Sequence, residues 1–255
     1  SSSGQATDTK PIELKFAIMH GSTHAVPQMI LQPWADEVEK ATDGRVKITI
    51  YPVDTLLKSN DIYEGVVSGI ADIGTCDPGY NPGRFPMLSA FFLGGLEYAN
   101  SKVASYVAWD LVKETELKET SYTKFMFVYG LQPSNIYSTK PVRTLEDLQG
   151  LQVRVTGFAA DSIKALGAVP VGMPMNEAYE ALLKGTIDAN LAPAEVLEGW
   201  KHAEVTNSIT KTPFINCVFH YITMNLDVWN SLPQDIQEKI EQVNRKIFEE
   251  KSTVF

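Results

Sequence analysis

The chain has 255 residues, 44% hydrophobic, 10% aromatic and 21% charged, an ordinary globular composition that excludes wholesale disorder. Lys and Arg total 22 against 31 Asp and Glu, a formal net charge of −9. That balance argues against nucleic acid or an anionic membrane surface as a partner, while leaving room for a local cationic pocket.

No apolar run reaches the roughly 18–20 residues of a membrane-spanning helix. Residues 1–10 (SSSGQATDTK) lack the basic start and apolar segment of a signal peptide. They read as a mature end left after processing, which would imply export, or as an added start. The two cysteines, Cys76 and Cys217, are too few for a disulfide scaffold and form no C-x-x-C pair. Two buried free thiols are expected, with one bridge as the alternative.

Residues 12–19 start with alternation, Ile12, Leu14, Phe16 and Ile18 on one face, which predicts a strand. A loop over 20–27 follows, then a helical stripe of Leu31, Trp34, Val38 and Ala41, closed by Asp43-Gly44. Residues 46–51 alternate again before Pro52, Asn60 is a candidate cap for a helix over 62–68, and a short strand lies at 71–74. A helix over about 100–119 and a strand over 124–129 come next. From Thr144, a helix-cap candidate, the order repeats: strand 151–155, helix 159–166, strand 169–173, helix 176–184 and strand 187–190. Strands alternating with helices predict parallel sheets covered by helices.

The two halves echo each other. Tyr63-Glu64, Gly69 and Asp72 match Tyr179-Glu180, Gly185 and Asp188 at an offset of 116. We therefore expect an α/β fold of two similar lobes around a cleft. Lobe I would span 1–124, with 214–255 returning to it, and lobe II would span 125–213. Ligands of such sheets bind beyond the carboxyl ends of the strands, often between domains. That directs attention to residues 20–27, 75–86, 156–160 and 190–195. Asp72 and Asp188, placed alike in both halves, read as structural.

Dinucleotide, P-loop, zincin and α/β-hydrolase motifs are absent, so no cofactor is expected. No nucleophile with a base and an orienting partner can be read, which argues against an enzyme. His20 and His24 fall on a loop and read as polar cleft lining before a metal pair. Arg154 stands between Val153 and Val155 in a strand expected to be covered on both faces. A charge there is costly unless it meets a counter-charge, and a guanidinium fork suits a carboxylate. It would hold a ligand carboxylate, pair with an internal Asp or Glu, or sit at an open strand end. Tyr80, Phe85, Phe158, Phe214 and Phe219 lie near the expected cleft, each either lining it or belonging to the core. Arg84, in a Pro-Gly-Arg-Phe-Pro loop, would be a second ligand contact or would pin that loop.

The series PVRTLEDLQG at 141–150, LQVRV at 151–155, ALGA at 165–168, PVGMP at 170–174 and EAYEALLKGTID at 177–188 resembles the solute receptors of TRAP transporters (tripartite ATP-independent periplasmic, dicarboxylate-binding type). The segments at 44–52, 69–74, 82–86 and 224–233 agree, so the resemblance runs from about Leu14 through most of the chain. It implies a monomeric periplasmic receptor, its signal peptide absent from this chain, that closes on an organic acid and delivers it to membrane permease subunits driven by an ion gradient. By that resemblance Arg154 holds the ligand carboxylate. The loop of His20 and His24, the strand end with Asn190 and Pro193, and the aromatic Phe214 join it. Ala189 stands where many members carry Gly, and Ala192 stands where members with acidic sugar ligands carry Asn, a departure that argues against a sialic-acid-type ligand. An apolar, aromatic pocket implies a monocarboxylate such as an aryl or 2-oxo acid. The alternatives are a small dicarboxylate, with Arg84 or His24 on the second carboxylate, and the receptor of an ATP-driven system.

Overall fold

The structure is a computed structural model and describes residues 10–251 apart from 82, 116 and 158. The alternating run at the start forms β1 (Ile12–Ile18), followed by a π turn at Pro27–Leu31 and α1 (Gln32–Ala41). Asp43 and Gly44 then both take positive φ and turn the chain into β2 (Val46–Tyr51). After α2 (Ile62–Val67), β3 (Ile73–Cys76) returns beside β1. α2 begins after a 3₁₀ turn over Ser59–Asp61 with no side-chain cap; Asn60, expected to cap it, instead accepts a hydrogen bond from Asn81 through its carbonyl.

α3 (Ser101–Thr115) leads to β4 (Thr123–Pro133), and the chain then builds a second sheet. Its elements are β5 (Asn135–Ser138), α4 (Leu145–Leu148), β6 (Gln152–Val155), α5 (Ala159–Ala165), β7 (Val169–Gly172), α6 (Met175–Leu183), β8 (Ala189–Ala192), α7 (Val196–Gly199) and β9 (Ser208–Thr210). β10 (Cys217–Asn225), α8 (Leu226–Ser231) and α9 (Gln234–Lys251) return to the first sheet. Thr144 caps α4 in a reciprocal box with Asp147.

The sheet orders are β2-β1-β3-β10-β4 and β7-β6-β8-β5-β9. Both are mixed rather than parallel. β10 runs antiparallel to β3 and β4, and β5 runs antiparallel to β8 and β9. β4 pairs with β10 in the first sheet, so the crossing between sheets falls near Ser134 and not at the expected 124/125 boundary.

The echo read in the sequence is a repeat of topology: β2-β1-β3 flanked by antiparallel β10 corresponds to β7-β6-β8 flanked by antiparallel β5. Asp72 Oδ2 accepts the Lys15 N–H at 2.7 Å while its own N–H bonds the Lys15 carbonyl. Asp188 does the same with Gln152, at 2.9 Å. Each carboxylate clips the third strand of its unit to the first. The apolar clusters among the described residues stay with one sheet or the other, and none joins the two. Cys76 and Cys217 are both buried free thiols.

Candidate functional site

Arg154 is the third residue of β6, with Val171 of β7 and Asn190 of β8 as its strand partners. Central placement leaves it 3% exposed. Its Nε–H donates to the Met173 carbonyl at 3.0 Å and Nη2 donates to the Tyr80 hydroxyl at 3.1 Å. The remaining N–H bonds of the five-donor fork have no protein partner among the described residues, and no carboxylate lies within ion-pairing distance. The internal ion pair that would have explained this arginine is not formed.

Tyr80 reaches Arg154 from the first sheet. It ends the 3₁₀ turn Pro78–Tyr80 after β3, and Asp77 caps that turn by accepting the Gly79 N–H at 2.7 Å. The Tyr80 oxygen accepts from both Arg154 and the Met175 N–H, the latter at 2.9 Å, so its own proton is left to donate elsewhere. Burial pushes the phenol up from its ordinary range, which keeps that proton in place. The second Asp77 oxygen accepts from the Thr156 hydroxyl at 3.0 Å. Burial outweighs these bonds and the nearby Arg154 charge, raising the Asp77 carboxyl to about 6.

The first sheet also contributes imidazoles. The His20 and His24 ring centres are 4.6 Å apart, those of His20 and His220 5.2 Å, and Trp200 packs on His24 at 5.3 Å. His24 Nδ1 accepts the Val26 N–H, so the imidazole proton sits on Nε2 and is donated to Glu195 at 2.6 Å. Burial, reinforced by the other imidazoles, drives His20 well below its ordinary value and His220 down to about 3; both are neutral near pH 7. Beneath Arg154, Asn190 Nδ2 bonds His202 Nδ1 at 3.1 Å. Burial and the Arg154 charge lower His202 to about 4.

Arg154, Tyr80, Asp77, Glu195, His20 and His220 surround a cavity of about 20 Å³ between the sheets, closed by Trp200, Leu131, Val218, Met175 and Pro193. Tyr80 also borders a larger cleft of about 340 Å³, whose described lining carries no charged side chain. Among the described residues, no group of three or more His, Cys, Asp or Glu is arranged to hold a metal ion.

Of the residues singled out in the sequence, Arg154, Tyr80, His20 and Pro193 line the small cavity, with His24 and Asn190 directly behind. Arg84 is elsewhere: it pairs with Glu64 at 3.5 Å and lies over the Tyr122 ring at 4.2 Å, which pins its loop. Phe214 is 50% exposed and is not part of the cluster. Phe85 and Phe219 belong to the core of the first sheet. Phe158 lies outside the described residues. Asp77, Glu195, Trp200 and His220 were not singled out. Asp77 and Glu195 fall in loops flagged from the strand ends, whereas nothing near His220 in sequence signals that β10 carries it to His20.

Two repeated α/β units with a buried, unpaired arginine between them define a two-lobe ligand receptor. The chain matches the model of the DctP bacterial extracellular solute-binding proteins, family 7, over residues 16–253. It belongs to this family, the periplasmic solute receptors of TRAP transporters. Among solved structures it is similar to a TRAP periplasmic solute-binding protein from Desulfovibrio salexigens, with 36% identity, TM-score 0.79 and 96% of this chain on 76% of that one. It is also similar to a marine metagenome TRAP protein specific for aromatic acids, in complex with 3-hydroxybenzoate, with 25% identity, TM-score 0.88 and 94% on 77%. A third is a Rhodoferax ferrireducens TRAP protein in complex with copurified benzoate, with 28% identity, TM-score 0.88 and 93% on 76%.

Proposed function

We propose that this chain is an exported receptor that closes on a monocarboxylate with an aromatic or apolar body and hands it to the permease subunits of an ion-gradient-driven TRAP transporter. The observation that carries this reading is Arg154: a buried guanidinium with donors that have no partner, and no carboxylate within ion-pairing distance, among the described residues. An unpaired buried cation is costly, and a ligand carboxylate would complete it through two charge-assisted hydrogen bonds. The free Tyr80 proton supplies a third donor. A cavity of about 20 Å³ admits about one water, so a ligand the size of benzoate enters only when the lobes part. Closure then removes water and strengthens the ion pair.

A dicarboxylate is disfavoured because it needs a second cation. Arg84 is paired outside the cavity and His24 is committed to Glu195. The aromatic-acid ligands of two similar structures support the same choice.

The test is a thermal-shift series with benzoate on the wild type and Arg154→Ala, both checked for native circular dichroism. A ligand that binds only the folded state at 100-fold its Kd adds about 2.7 kcal/mol, or roughly 5–10 °C in a chain of this size. The wild type should show that shift and the variant should not. Equal shifts in both would place recognition elsewhere.

A further inference from the structure

The cavity between the lobes has two chemically different walls. The second sheet supplies the cation, Arg154 of β6. The first sheet supplies His20, just beyond β1, and His220 within β10. Both imidazoles are buried, at 1% and 3% exposure, and the Nδ1 atom of each lacks a hydrogen-bond partner among the described residues. Buried polar atoms are rarely left unpaired, and two imidazoles with unpaired nitrogens on the lining of one cavity point to something that fills it. Asn190 Oδ1 and His202 Nε2, on the Arg154 side, also lack partners among the described residues, but those two residues do not line the cavity.

A neutral imidazole offers one donor and one acceptor nitrogen. Such a wall satisfies a hydroxyl, which both gives and takes a hydrogen bond. It does not compensate a second carboxylate, which would add another buried negative charge beside Asp77 and Glu195.

We propose that His20 and His220 form a distal polar contact that selects acids carrying a neutral hydroxyl away from the carboxylate, a hydroxyaryl acid over its unsubstituted parent. The inference rests on the carboxylate reading above and adds to it the chemistry of the opposite wall. A ligand held at both ends bridges the two sheets, so its hydroxyl contributes to closure as well as to specificity. Trp200, beside His20 and His24, supplies the apolar face between.

Calorimetric titration of the wild-type protein with benzoate, 3-hydroxybenzoate and 4-hydroxybenzoate tests this without any variant. A site built to bond a hydroxyl discriminates against the analogue lacking it, so one of the hydroxy acids should bind at least tenfold more tightly than benzoate. In His220→Phe and His20→Phe, that ratio should fall to within threefold, whatever the absolute affinities. Binding of all three acids within twofold by the wild type, or an unchanged ratio in both folded variants, would overturn this inference and leave the Arg154 reading standing. Absence of binding by any of the three acids to the wild type would overturn both.

Discussion

At the residue scale, the site concentrates groups whose protonation is set by burial. His20, His202 and His220 are held below the ordinary imidazole value, the last two to about 4 and about 3. Their folded forms bind protons less readily than the unfolded chain, whose imidazoles titrate near 6.5. The stability they contribute is therefore complete above about pH 6.5 and is lost as pH falls towards their folded values. Asp77, raised to about 6, acts in the opposite sense: its folded form takes the proton first, so it adds stability as pH falls from about 6 to about 4. By linkage His202 and His220 each cost about 2 kcal/mol between pH 7 and pH 5 and His20 acts in the same direction, while Asp77 returns about 1 kcal/mol. Three imidazoles against one carboxyl leave a net loss, and Tm should drop by roughly 10 °C over that interval. His202→Gln, which keeps an acceptor for Asn190, should show a shallower decline. A Tm flat from pH 7 to pH 5 would mean that these rings are hydrated in solution.

At the element scale, the repeated units share a device. Asp72 and Asp188 each clip the third strand of a unit to the first through backbone N–H groups. A carboxylate on a backbone amide is worth about 1–2 kcal/mol. Asp72→Ala and Asp188→Ala should each lower stability by about that much in urea unfolding, and by the sum when combined, since the sites share no partner. A double variant no worse than either single one would show that the clips are not independent.

The same elements show what could be read beforehand. β1, β2, β6 and β7 carry local alternation or short apolar runs with turn residues at their ends, and each lies near its expected place. The 116-residue echo anticipated the repeat because Gly69 and Gly185 need the same positive φ after matching helices. β5, β9 and β10 escaped. β10 is buried at every position, so no period-two pattern marks it. Its pairing with β3 and β4 also depends on residues far away in the chain. Arg154 was legible because a lone charge in a covered strand is conspicuous. His220 was not, since a histidine in a buried run gives no sign of its partners until the sheet forms. Arg84 shows the converse: an arginine in a cleft-facing loop can be spent on the loop itself.

At the scale of the whole molecule, the two sheets meet through hydrogen bonds rather than a shared apolar core. His24–Glu195, Asp77–Thr156, the Tyr80 hydroxyl with Arg154 and Met175, and Asp54–Asn176 cross between them. Each contributes about 1 kcal/mol net, so parting the lobes exchanges these bonds for water at small cost. The close approach itself depends on a glycine pair. A Cβ on Gly79 would lie 3.2 Å from the Gly157 nitrogen and 3.3 Å from the Thr156 Cβ, and one on Gly157 would lie 3.0 Å from the Gly79 Cα. Gly157 also takes φ +52, which strains other residues, whereas Gly79 has no positive φ, and within its own turn its Cβ would meet only the Asp77 Oδ1, at 3.0 Å. Gly79→Val should therefore act as a wedge: it blocks the approach of the 156–157 backbone without disturbing either core. Small-angle scattering should show wild type contracting on addition of a bound aryl acid and the variant remaining extended. Affinity for that acid should fall at least tenfold, while Tm without ligand changes by no more than a few degrees. Contraction of the variant to wild-type dimensions with unchanged affinity would mean that the glycine contact is incidental to closure and that the lobes meet productively by another route.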